Sequence, residues 1–316
     1  MAFNVLVAEI SGKRPGTSKQ RPTEKLDICF DKVIISNNSD NYDTDWNIVN
    51  VPDKYREWYI ENIKSSDNAW YAPMNRSYAI KYAREHGYDY LVQLDDNIVL
   101  LELATMQTLE DDIIKRVRVV NKPGMINDFI EMLCTVLENT DAAMSGCQLA
   151  GVGTPECRFL AERYCYSLFA LKLSTCPDVF QGDFEDDIEY RLKCAQMGLP
   201  VVQVCPLRYG KTGQQKTKDL TGCRAEYLKA GLKRGEHMEI LYGDKYRCEM
   251  RRKGQSICSG YDDEKVNFKH YVKQFKVGVM VYDYQPIKNK MQEIFKKYAE
   301  HHEDKVIVKE KKTKKG

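Results

Sequence analysis

Apolar and polar positions in this chain fall into short blocks whose period switches between strand and helix. Residues 4–10 (NVLVAEI), 31–36 (DKVIIS), 45–51 (DWNIVNV) and 90–94 (YLVQL) are apolar runs bounded by turn formers, the pattern of strands covered on both faces. Between them, residues 55–62 and 72–85 repeat apolar side chains at helical spacing, with Tyr78, Ala79, Tyr82 and Ala83 on one stripe and Gly87 as the stop. Residues 98–120 fit either a strand or a helix. Residues 125–137 predict a helix with Ile126, Phe129, Ile130, Leu133 and Leu137 facing a core and Asp128 able to cap its start. Strands over 141–149 and 164–173, a helix over 183–197 and a strand over 201–205 follow. A last helix starting at Pro286 carries Ile287, Met291, Ile294, Phe295 and Tyr298 as a docking stripe. Alternation of this kind predicts an α/β protein with a mixed, mostly parallel sheet and covering helices.

Composition narrows the class. With 316 residues, 43% apolar and 30% charged, the chain is long enough for a sizeable core and ordinary for a globular protein. No apolar run approaches the ~18 residues of a membrane span, and the first residues lack a basic segment before their apolar run. A strand is expected there rather than a signal peptide, and a cytoplasmic location follows. Eleven cysteines at irregular spacing, with no Cys-x-x-Cys, read as free thiols in a reducing compartment.

Net charge is +2, but unevenly spread: residues 1–207 carry −10 and residues 208–316 carry +12. Such asymmetry suits either an anionic partner for the C-terminal third or internal neutralisation of the acidic part. The expected division is 1–207 as one domain, 208–303 as a basic α+β extension, and 304–316 as a disordered lysine-rich tail.

Three stretches carry candidate chemistry. The strand from Tyr90 runs into Asp95-Asp96-Asn97, and ligands in open α/β sheets bind beyond the carboxyl ends of strands. Two carboxylates and an amide there can hold a hard divalent cation; an acidic turn accounts for the same residues. After the first strand, Lys13, Arg14, Lys19 and Arg21 can meet a diphosphate, as can any solvated basic loop. Five acids crowd positions 183–189, more than the helix dipole requires of a first turn.

Asn75-Arg76 opening a helix, Asp95-Asp96-Asn97 after a strand, and Asp186-Asp187 followed by Arg191-Leu192 and Gly198 together resemble the nucleotide-sugar glycosyltransferases of the GT-A (Rossmann-like) fold, family 2 in particular. The likeness covers residues 4–207. It implies that Asp95 contacts the sugar nucleotide and that Asp95, Asp96 and Asn97 hold Mn²⁺ or Mg²⁺. Asn97 departs from the family's aspartate and brings no charge. Asp187 takes the place of the catalytic base, with Asp186 where glutamate is usual. Asn37, Asn38 and Asp40 match the region that reads the nucleobase, and Asn75 and Arg76 complete the donor site. Where Asn97 weakens the metal, Lys211, Lys216 or Lys218 can supply positive charge to the diphosphate.

The C-terminal third mixes basic residues with tyrosines, which suits a phosphate backbone and stacked bases. The chain is similar in size and character to viral glycosyltransferases that modify hydroxymethylated pyrimidines in DNA. The expected reaction is inverting transfer from a UDP-sugar to such a base. The alternatives are a polysaccharide or protein acceptor, or a catalytically inactive nucleic-acid-binding relative.

Overall fold

The computed structural model describes residues 3–11, 21–37, 42–64, 71–108, 114–150, 158–181, 186–212, 246–250, 268–272 and 276–298. The strands are β1 (Val5–Ile10), β2 (Asp31–Ser36), β3 (Asn47–Asn50), β4 (Tyr90–Asp95), β5 (Ile98–Thr108), β6 (Ile114–Val120), β7 (Met144–Leu149), β8 (Leu160–Glu162), β9 (Leu168–Lys172), β10 (Val201–Lys211), β11 (Tyr246–Met250) and β12 (Phe268–Val272). The helices are α1 (Asp53–Asn62), α2 (Tyr71–Glu85), α3 (Met125–Glu138), α4 (Asp186–Gln196) and α5 (Tyr284–Tyr298), with a 3₁₀ turn at Pro22–Lys25.

Ten strands form one mixed sheet in the order β3-β2-β1-β4-β9-β7-β10-β5-β6, with β8 paired to β10. β1–β4, β6, β7 and β10 point one way; β5, β8 and β9 run against them. The predicted mostly parallel sheet with covering helices is what forms. β11 and β12 make a separate antiparallel pair.

Period-two alternation sends neighbouring side chains into two cores. In β1, Val5 and Val7 join the core under α3 and α5, whereas Leu6, Ala8 and Ile10 join the core under α1, α2 and α4. In β4, Tyr90, Val92 and Leu94 face the first and Leu91 the second. Gln93 and Asp95 follow Leu91 at that spacing, so a polar line is drawn on the face that α2 covers.

The segment 98–120, open between strand and helix, is a hairpin of β5 and β6. Asp128 does not cap α3, whose N-cap is Gly124 in the left-handed region at φ 72°. Its carboxylate instead accepts hydrogen bonds from Lys297 Nζ (2.7 Å) and from Tyr298. These contacts seat α5 on α3, where Ile287, Met291, Ile294 and Tyr298 enter the core shared with β1 and β4. Leu207, the expected end of the first domain, lies inside β10, which continues to Lys211. The lysine-rich tail lies outside the described residues. No helix among the described residues is long and apolar enough to cross a membrane. Seven described cysteines are free thiols, six of them buried.

Candidate active site

The site is assembled at the carboxyl edge of the sheet by Arg76. α2 starts at Tyr71, so Arg76 lies in its second turn against the polar line of β4. Its Nη2 donates to Asp95 Oδ1 at 2.6 Å, its Nη1 to Gln93 Oε1 at 3.1 Å and its Nε to Asp186 Oδ2 at 2.9 Å. Gln93 returns a bond from Nε2 to the Arg76 carbonyl. One guanidinium thus joins the end of β4 to the start of α4, with Asp186 lying 110 residues beyond Arg76 in the chain. The fixed fork of donors is what makes this possible; an ammonium has no such geometry. Its guanidinium carbon lies 5.5 Å from the Phe169 ring centre and 5.9 Å from that of Phe180. Phe180 stacks on Tyr190 at 3.8 Å and is tied through its backbone to Tyr59 and Ser77.

The second oxygen of Asp95, Oδ2, accepts a hydrogen bond from Lys211 Nζ at 2.5 Å. Lys211 reaches it because β10 extends beyond the predicted residues 201–205 and slips register against β5 between Gly210 and Lys211. Gly210 allows the close approach: a Cβ there would meet Leu100 at 3.0 Å. Thr212 then bonds the Asn97 carbonyl through both its N–H and its hydroxyl.

Electrostatics sort the carboxylates. Burial would raise the Asp95 pKa, but the charges of Lys211 and Arg76 overcome it and hold the group well below the usual range. Asp186 is raised, because burial outweighs its Arg76 partner and the Asp95 charge adds to the effect. Burial likewise opposes the Arg76 charge, and Asp95 and Asp186 more than restore it. Glu189 lies in the same turn of α4 but is fully buried, bonding the Gln181 N–H and Lys193; its role is structural.

Asp187 is half-buried beside Asp186, its Oδ1 accepting the Ile188 N–H at 2.8 Å. Asp96 accepts a bond from Ser11 Oγ at 3.1 Å. Ser11 Oγ accepts in turn from Tyr42, whose hydroxyl lies 3.2 Å from Ser36 Oγ. This chain of hydroxyls links the ends of β4, β1 and β2. Asn75 Nδ2 bonds the Ser11 carbonyl, so α2 is pinned to the same edge. The amide oxygens of Asn37, Asn75 and Asn97 are buried without a partner. Asn38, Asp40, Lys216 and Lys218 lie outside the described residues.

Mn²⁺ or Mg²⁺ was expected on Asp95, Asp96 and Asn97. A hard dication needs several charged oxygens. Here both oxygens of Asp95 already hold cations, Asp96 holds Ser11, and Asn97 offers one neutral oxygen. No group of three His, Cys, Asp or Glu side chains among the described residues is placed to hold a metal. The donor set does not fit the ion.

One other expectation changes. Arg21 does not face a diphosphate: it is buried in an ion pair with Glu9 at 2.6 Å, with Tyr42 against its guanidinium. Lys13, Arg14 and Lys19, from the same loop, lie outside the described residues. The sequence reading missed Gln93, although a glutamine inside an apolar strand two residues before Asp95 is a visible signal. It also missed Ser167, whose carbonyl accepts the Asp95 N–H at 2.9 Å and whose φ of 46° is unusual for a non-glycine residue. No pattern in the sequence marks it.

No protein-family model matches this chain, and no curated protein sequence does. Among solved structures it is similar to a protein from Desulfovibrio desulfuricans G20 assigned as a nucleotide-diphospho-sugar transferase. Identity there is 12% and the TM-score 0.37, over 67% of this chain and 83% of the other. It is also similar to the glucosyl-3-phosphoglycerate synthase of Mycobacterium tuberculosis, solved with Mn²⁺, UDP and phosphoglyceric acid. Identity is 9% and the TM-score 0.40, over 91% of each chain.

Proposed function

We propose that this chain is a glycosyltransferase that moves a sugar from a UDP-sugar to a hydroxyl by inverting displacement, and that the hydroxyl belongs to a hydroxymethylated pyrimidine in DNA. The observation that carries the reading is the Arg76 bridge. It holds the strand-end Asp95 and the helix-start Asp186-Asp187 pair in one site, although they are far apart in sequence. In this reading Asp187, beside Asp186 at the start of α4, is the base. The acceptor oxygen forms a bond to the anomeric carbon, and its proton passes to Asp187. The bond from that carbon to the diphosphate breaks, and its electron pair leaves with the phosphate oxygen. One base and one leaving group are all that a single displacement requires. In this reading the buried amide oxygens of Asn75, on α2, and Asn37, just after β2, accept from hydroxyl or N–H groups of the nucleoside. Asn38 and Asp40 complete that wall in this reading.

The acceptor assignment rests on sequence: thirteen Lys and Arg against six Asp and Glu over residues 208–253, interleaved with tyrosines. A hydroxymethyl group in a duplex becomes reachable when its base is flipped out of the stack.

Labelled UDP-sugars, presented with duplex DNA carrying hydroxymethylpyrimidines, test the whole reading. Label should enter the DNA, and Asp187→Asn should lower the rate by about 10²–10⁴-fold with UDP affinity unchanged. DNA affinity should fall steeply on a log–log plot against salt. A fully active Asp187→Asn variant, or label passing only to water or to DNA without the hydroxyl, would sink it.

A further inference from the structure

We propose that the leaving diphosphate is neutralised by the Lys211 ammonium and the Arg76 guanidinium, with no divalent metal; this rests on the glycosyltransferase reading above. Departure of a nucleoside diphosphate places negative charge on a phosphate oxygen, and that charge must be met by a cation or by preorganised donors. Both cations stand at the carboxyl end of β4, the edge where ligands of open α/β sheets bind. They grip opposite oxygens of Asp95, Arg76 at 2.6 Å and Lys211 at 2.5 Å.

Three facts separate this arrangement from a metal site. Both oxygens of the aspartate that would serve a dication are taken by the cations of Arg76 and Lys211, so a metal would have to displace one of them. The residue two positions on is Asn97, whose uncharged oxygen adds no charge to favour that displacement. And Lys211 is not a stray surface lysine. It ends a sheet strand, is aimed by the register slip after Gly210, and is held by the Thr212 bonds to the Asn97 backbone. An ammonium has three donors, of which Asp95 takes one. The other two remain for phosphate oxygens. As the bond from the anomeric carbon to the phosphate oxygen breaks, the electron pair settles on an oxygen beside Lys211, and no proton need be transferred to it. Asp95 acts in this scheme as a positioning residue that keeps the two cations together.

The test is UDP binding to the full chain by calorimetry, in EDTA and then in Mn²⁺. Affinity should agree within about threefold between the two conditions. Lys211→Ala should weaken binding in EDTA at least tenfold while its circular dichroism and Tm stay those of the parent. Asn97→Asp should create an Mn²⁺-dependent component, visible as bound Mn²⁺ by electron paramagnetic resonance. Binding that requires Mn²⁺, or an unchanged affinity of Lys211→Ala in EDTA, overturns the proposal and leaves the transferase reading standing. If neither UDP nor any other nucleoside diphosphate binds under either condition, the transferase reading falls and takes this proposal with it.

Discussion

Arg76 shows how a single side chain can carry a site whose parts are separated in sequence. Asparagine and arginine at a helix start, and two acids after a strand, are legible as a pattern. The bonds between them are not, because they depend on which face of β4 meets α2. The same holds for Arg21 and Glu9. In the sequence Arg21 is one of four loop cations; in the structure both partners are fully buried, and Glu9 Oε2 and the Arg21 terminal nitrogens find no hydrogen-bond partner. Burial outweighs the attraction of Arg21 and pushes the Glu9 pKa up to about 7. A carboxyl raised in the folded state stabilises below its unfolded pKa, and that contribution is lost as pH rises through the folded value. The window here runs from about 4.5 to about 7. At ~1.4 kcal/mol per pKa unit, roughly 3 kcal/mol of stability should disappear across it. Urea unfolding at pH 5.5 and 8.5 should show this decline for the parent and a flatter profile for Glu9→Gln, which mimics the protonated acid. Equal slopes for the two would show that Glu9 stays charged throughout.

At the scale of elements, apolar stripes predicted most helices and strands, because each needs one face buried and the spacing records it. What they could not give was where a strand ends. The strand was expected over 201–205 only. It runs on to Lys211 because β5 pairs with its second half and Glu102 takes Arg208 at 2.7 Å inside the sheet. Without those six residues Lys211 would not reach Asp95. The stripe on α5 was legible, but its partner was not. Asp128 looked like a cap for α3, and its position on that helix serves Lys297 and Tyr298 equally well. Ile294, fully buried between the two helices, should cost about 2–5 kcal/mol when truncated to alanine. Chemical denaturation should show the loss with the cooperativity unchanged. A cost below about 1 kcal/mol would mean that α5 is held by its ion pairs alone.

For the whole molecule, the charge map drawn from sequence divides the chain at residue 208, whereas the sheet does not. Charge is read off composition; a boundary is set by which surfaces bury each other, and composition is blind to that. The acidic and basic parts meet at the site itself, where Lys211 supplies one of the two cations that Asp95 holds.

The docking of α5 on α3 has a topological consequence. One core is built from residues near both ends of the described chain: strands before Thr212 and the helix after Lys276 bury each other. Thr212 is bonded to Asn97, and Val281 is paired with Thr140. A polypeptide stopped at Leu207 therefore lacks the last four residues of β10 and the helix α5 that shares a core with α3. It should be recovered as an aggregate, while co-production with a second polypeptide carrying residues 208–316 should restore soluble material.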